Sequence, residues 1–417
     1  MKFVTNLGLG ILGKPDSTNL WREILSNRQM YRACKYAKKI LIVAGGHGTE
    51  IDVLVELHGP EILDKVWFND LLVCYTNDIR VRYPQINIAK GDFLSLKFNM
   101  KFNVVIGNPP YQDGDREDQA NKLWPLFVKK ALDLVVNDGY VAMITPNGWM
   151  QPTADIGKGT GKNALSIFND IFKQNNLILA NIDSNNIGET YFKGVGSTFS
   201  YYIFQKALYS GTTDFITATG KIEIDISKIE SLPKITSKES LSIVKKMFGT
   251  PFIFQDQNHG LNGMEGDSQG EVTQLKKSKN GEKKTSHKLQ YKIYHTNKKG
   301  GTYWYGEKLN PYSAKPKVII SLSGTYLPVF NNTDGFSNMC LAVLCNNDIE
   351  AVRVQKILSS KLYKFWVEMQ KFSGFNPRKL ILTLPELAVD RDWSDDEIYQ
   401  NFKLTPEEIN YVEANIS

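Results

Sequence analysis

From Ile40 onward the chain repeats one pattern: a short apolar run, a turn signal, then a stretch of helical character. The runs are Ile40 to Ala44, Val66 to Phe68, Ile86 to Ala89, Val104 to Ile106 and Tyr140 to Ile144. Unbroken apolar runs, rather than alternation, mark strands buried on both faces, and the helices between them are the crossovers that parallel strands need. The pattern predicts an α/β fold built on a parallel sheet. Its clearest crossover helix covers about 121–136, with Leu123, Phe127, Ala131, Leu134 and Val135 on one face, Pro125 in the first turn and Gly139 beyond the end. A helix is also expected from Ser17 or Thr18 through Leu25, and another near 164–174. Strands are expected near 177–183 and 197–205, the second rich in aromatic and β-branched residues.

At 417 residues with 42% hydrophobic content, the chain can bury a large core and a smaller one. The reading divides it into a helical extension, 1–39, a catalytic domain, 40–235, and a third region, 236–417. Four scattered cysteines with no C-x-x-C pair argue against a zinc knuckle or a disulfide framework, and no metal is implied. A reduced, cytoplasmic setting fits, and no apolar run is long enough to cross a bilayer. The net charge of +6 is too modest to name a partner alone. Its distribution says more: nine lysines fall between Lys276 and Lys299 against one acid, Glu282. Basic residues interleave with aromatics there and beyond. Lys292, Lys298, Lys299 and Tyr303 are the candidates for phosphate contact and stacking on nucleic acid, although such a run is also what a solvated loop looks like.

The most informative stretch is Phe102-Asn103-Val104-Val105-Ile106-Gly107-Asn108-Pro109-Pro110-Tyr111. An apolar run ending in Gly, then Asn-Pro-Pro-aromatic, puts a stiff polar loop at the C-terminal end of a strand, where open α/β sheets keep their ligands. Two prolines remove two backbone donors and leave carbonyls to accept. The Asn108 side-chain oxygen and the Pro109 carbonyl can then take both N–H bonds of an exocyclic amine. Its lone pair is thereby aimed at an electrophilic carbon by positioning rather than by a strong base. Pro110 stiffens the loop and Tyr111 can stack on a flat base.

This loop and its setting resemble the amino-methyltransferases that modify N6 of adenine, especially those of type II restriction-modification systems. Gly91-Asp92-Phe93-Leu94, Leu123 to Phe127, Asp138 to Pro146 and Tyr191 to Thr198 resemble further family segments in order and spacing, and the resemblance covers about 40–206. It implies a Rossmann-like domain using S-adenosyl-L-methionine, followed by an α+β region that recognises double-stranded DNA. By the same resemblance Asn108, Pro109, Pro110 and Tyr111 are catalytic. Ala44, Gly46, Gly48, Thr49, Asp70, Asp92 and Phe93 hold the cofactor, and Phe192 either stacks on the extruded base or belongs to the core. Asp70 is read either as a ribose ligand or as a plain helix cap, and His47 as a loop residue. The family usually has an acid where Ile42 stands and an aromatic near Ala44, so the contact to the cofactor's amino group is left unassigned. Residues 1–39 are too few for a nuclease, so methylation without cleavage is expected, with a separate cognate endonuclease as an optional partner. Two alternatives stay open. The same loop occurs in enzymes that methylate RNA or a protein glutamine, although the basic C-terminal region argues for DNA; and the altered Ile42 position suits a DNA-binding relative without catalysis.

Overall fold

The computed structural model describes residues 16–111, 122–150, 165–183, 199–229, 232–234, 236–247, 249–256, 272–273, 291–297, 301–306, 309–371, 376 and 378–416. They form two compact units, 1–232 and 233–417.

In the first unit the apolar runs become strands. These are β1 (Ile40–Val43), β2 (Val66–Asp70), β3 (Asn87–Lys90), β4 (Phe102–Gly107), β5 (Val135–Pro146), β6 (Asn176–Asn181), β7 (Phe199–Gln205), β8 (Thr213–Thr217) and β9 (Gly220–Ile224). They make one sheet in the order β3-β2-β1-β4-β5-β7-β6-β8-β9, parallel from β3 to β5, with β7 antiparallel to both β5 and β6. The order reverses between β1 and β4, as in doubly wound Rossmann-like sheets. Helices α1 (Asp16–Ser26), α2 (Arg28–Tyr36) and α3 (Thr49–His58) share a core with the sheet, in which Leu20, Trp21, Ile24 and Leu25 join Ile40, Ile42, Val104 and Ile106. Helix α4 (Val73–Arg82) packs on β2 and β3, and α5 (Trp124–Leu134) on β4 and β5.

Three local differences from the sequence expectation have physical causes. Strand β5 begins at Val135, where the helix was expected to continue, because Asp138 at φ 60 lets the chain bend and resume pairing with β4 after a register shift. The helix expected near 164–174 is a single π-helical turn, Ile167–Phe172, with the Ser166 hydroxyl accepting from Asn169 N–H. The hairpin β8–β9, which extends the sheet beyond β6, was not expected at all.

The second unit is α+β. One four-stranded sheet has the order β10-β17-β14-β15, made of Phe254–Asp256, Cys340–Leu344, Lys317–Ser321 and Pro328–Asn331. The other has the order β11-β13-β12-β16, made of Val272–Thr273, Thr302–Gly306, Tyr291–Thr296 and Gly335–Phe336. Strand β14 buries both faces: Val318 and Ile320 meet a helical core that includes Ala351, Val354 and Trp366, while Ile319 meets Tyr294, Tyr312 and Phe336. The single helical stretch expected over 351–372 is two helices, Asp348–Leu358 and Lys361–Met369, broken at Ser359 and Ser360.

Among the described residues no helix is long and apolar enough to cross a membrane.

Candidate active site

The parallel strands deliver the candidate residues to one edge. Val43, the last residue of β1, pairs with Gly107, the last of β4. The glycine-rich turn and the Asn-Pro-Pro-Tyr loop therefore leave neighbouring strands at the same level, at the point where the strand order reverses. A Cβ on Gly107 would lie 2.4 Å from the Val43 carbonyl oxygen, so only glycine permits this approach.

The turn after β1 is held in shape by unusual backbone angles. Ala44, Gly46 and Gly48 have φ of 51, 50 and 77, in the left-handed region that favours glycine. A Cβ on Gly46 would meet nothing within 4 Å, so its backbone faces open space. Gly48 is the N-cap of α3 and Thr49 its first residue. Asp70 closes the turn from the end of β2: its carboxylate accepts from Gly46 N–H at 2.9 Å and from Leu72 N–H at 2.8 Å. Burial raises its carboxyl above the ordinary value, against the pull of those two N–H groups. Asp70 thus accepts from the backbone ahead of α4, and each oxygen keeps a second lone pair.

Asp92 follows β3 one residue after Gly91, whose N–H donates to the Asp70 carbonyl at 3.1 Å. Its carboxylate is exposed and accepts from Leu94 and Ser95 N–H at 3.0 and 3.2 Å. Phe93 is buried, its ring 5.0 Å from that of Phe127.

In the Asn-Pro-Pro-Tyr loop, Pro109 is buried and Pro110 half-buried. The Tyr111 hydroxyl donates to Asn108 Oδ1 at 3.1 Å, and its ring lies 5.2 Å from Phe199. Burial pushes the Tyr111 hydroxyl's pKa up, so it stays a donor. Beyond β5, the carboxamide of Asn147 is 1% exposed with neither its oxygen nor its nitrogen hydrogen-bonded. A buried amide left unpaired costs about 1–3 kcal/mol and calls for a reason to be kept.

Several residues that shape this edge carry no short-range signal in the sequence. Asn69 Nδ2 donates to the carbonyls of Ala89 and Gly91, fixing the exit of β3. Arg82 donates to the His47 carbonyl and pairs with Asp78 at 3.0 Å. Lys130, on α5, donates to the carbonyls of Phe93, Leu94 and Leu96, clamping the loop after Asp92 from below. Lys130→Met strands three carbonyls, and with charged-donor bonds worth about 1.5–3 kcal/mol the unfolding midpoint is expected to fall by several degrees. Calorimetry checks this, and an unchanged midpoint would mean that water serves those carbonyls equally well.

Of the residues assigned to nucleic acid, Lys292 and Tyr303 lie together in the second unit. The Lys292 ammonium sits 3.9 Å from the Tyr303 ring centre and 3.5 Å from Asp334. Lys298, Lys299 and Phe192, with most of the lysine-rich run, lie outside the described residues.

Residues 58–185 match the model of the Eco57I restriction-modification methylase family. That stretch holds β2 to β6 and with them Asp70, Asp92 and the Asn-Pro-Pro-Tyr loop. Over 55 residues the chain is 47% identical to an uncharacterized adenine-specific methylase of Mycoplasma pneumoniae, which is 12% of this chain and 13% of that protein. The cryo-EM structure of the DrdV–DNA complex superposes with a TM-score of 0.53 over 89% of this chain and 55% of that one, at 11% identity. The likeness is one of fold alone. The type IIG restriction endonuclease BpuSI aligns with 95% of this chain and 60% of its own, at 11% identity and a TM-score of 0.40.

Proposed function

We propose that this chain transfers a methyl group from S-adenosyl-L-methionine to the N6 amine of an adenine in duplex DNA. The observation that carries the reading is the Val43–Gly107 pairing, which sets a glycine-rich turn and an Asn-Pro-Pro-Tyr loop side by side at the reversal of the strand order. Open α/β sheets bind ligands in that crevice. The match to a restriction-modification methylase family and the identity to an adenine-specific methylase support the choice of reaction.

The residues present fit this cofactor. Open space over Gly46 admits a chain passing close to the backbone, and Asp70 and Asp92 offer carboxylate oxygens to hydroxyl and amine donors. The cofactor supplies a methyl on a positively charged sulfur. Asn108 Oδ1 and the Pro109 carbonyl accept the two N–H bonds of the target amine and aim its lone pair. To do so Asn108 gives up the Tyr111 hydroxyl, which frees the tyrosine ring to turn toward the base. The product amine loses its extra proton to water. Extruding the adenine costs a few kcal/mol, offset by stacking and phosphate contacts from the second unit, among them Lys292, Lys298, Lys299 and Tyr303. Phe192 is a second stacking candidate. The reading implies a cytoplasmic enzyme, with a separate cognate endonuclease as an optional partner.

The test is incubation with tritiated S-adenosyl-L-methionine and mixed-sequence duplex DNA, followed by digestion to nucleosides. Label in N6-methyladenine is expected. No label in DNA, with transfer to RNA or to a protein glutamine in parallel incubations, would overturn the choice of substrate.

A further inference from the structure

Glu50 is a buried acid with no cation beside it. It occupies the first turn of α3, two residues after Gly48, and is 3% exposed. The acids near it have partners. Asp52 accepts from the Tyr83 hydroxyl and lies 3.5 Å from the Arg82 guanidinium, Asp70 takes two backbone N–H groups, and His47 packs edge-on against Tyr75. Glu50 has only its own amide N–H. Among the described residues no other side chain reaches it by a hydrogen bond or an ion pair. Burial, reinforced by Asp70 and Asp52, pushes its carboxyl up to about 8. A group of this kind costs stability wherever an apolar side chain could fill the same space.

The position is informative because of what β1 lacks. Ile42 stands where a carboxylate was expected, but it is fully buried between Phe68 and Ile106 in the middle of the sheet. The acid missing from the strand has a buried counterpart in the first turn of α3, near enough to Asp70 for the two carboxylates to repel, and Asp70 itself accepts from Gly46 N–H.

We propose that Glu50 binds the α-ammonium of the cofactor's amino-acid end, in place of the acid that Ile42 replaces. The inference rests on the cofactor reading above and makes the altered turn a relocated contact rather than a lost one. An ammonium arriving beside a protonated carboxyl lowers its pKa, so the carboxyl ionises and its proton passes to the buffer. At pH 7, on the order of one proton should be released per site filled.

Calorimetric titration of the full chain with two probes tests this. S-adenosylhomocysteine carries the amino-acid end, whereas 5′-methylthioadenosine has the same nucleoside and thioether without it. Glu50→Gln should weaken S-adenosylhomocysteine by roughly ten- to a hundredfold, the size of a hydrogen bond to a charged group. It should leave methylthioadenosine unchanged and abolish the proton release, read from heats in buffers of different ionisation enthalpy. An equal effect on both probes, or no effect on either, overturns the role of Glu50. Absence of proton release in the wild-type protein overturns it as well, and that measurement stands even if the variant fails to fold. Failure of the wild-type protein to bind either probe would sink the cofactor reading itself.

Discussion

Replacing Asn108 with alanine is expected to lower kcat for methyl transfer by about 10²- to 10³-fold, the usual cost of removing one preorganised polar contact to a reacting group. On the proposed reading the loss arises in the chemical step, because Oδ1 would accept from the amine and no described contact ties it to the glycine-rich turn. Affinity for S-adenosylhomocysteine should therefore be unchanged. The variant also strands the Tyr111 hydroxyl, which donates to Asn108 at 3.1 Å, so a small fall in stability accompanies the fall in rate. Asn108→Asp keeps an acceptor and should recover part of the rate. Single-turnover transfer of tritium to DNA, beside calorimetric binding of S-adenosylhomocysteine, separates the two effects. A loss of binding with the chemical step intact would move Asn108 from the substrate side of the crevice to the cofactor side.

Gly107→Ala should damage both halves of the site at once. The added Cβ would sit 2.4 Å from the Val43 carbonyl oxygen and 2.5 Å from Val43 Cγ2. A backbone oxygen in a sheet gives way only if the strands part. Overpacking of this kind costs about 1–3 kcal/mol, or several degrees in the unfolding midpoint. Parting β1 from β4 shifts the turn that follows Val43 and the loop that follows Gly107 together. Cofactor affinity and kcat should thus fall in the same variant, in contrast to Asn108→Ala, where only kcat falls. A variant that melts like the wild type and binds S-adenosylhomocysteine normally would show that the two strands need not approach so closely.

The core of the fold is readable in the chain because β1, β2 and β4 are buried and appear as near-unbroken apolar runs, Ile40–Val43, Val66–Asp70 and Phe102–Gly107. Where burial is one-sided or pairing is distant, that signal fails. Strand β9 is mostly exposed, and β8 finds its partner β6 across more than thirty intervening residues, so the hairpin they extend left no continuous run. The first residues of β5 belong to a strand only because Asp138 bends the chain back into register with β4. In the candidate site, Asp70 and Asn108 are legible as polar residues that follow apolar runs, and Asp92 through the resemblance of its segment. Lys130, Arg82 and Asn69 are not, since each is recognised only by the distant carbonyl it serves.

Local chemistry in the chain was therefore enough for the parallel sheet and the stiff loop after β4, because each depends on residues a few positions apart. Tertiary structure decided which strands are neighbours, and so that the turn and the loop, some sixty residues apart in sequence, open at one edge. It also decided that Glu50 is buried without a cation while Asp52 beside it is paired with Arg82. Strand order follows from how the crossover helices pack, and the charge of a carboxyl from the water and partners around it; neither is written in any short stretch of sequence.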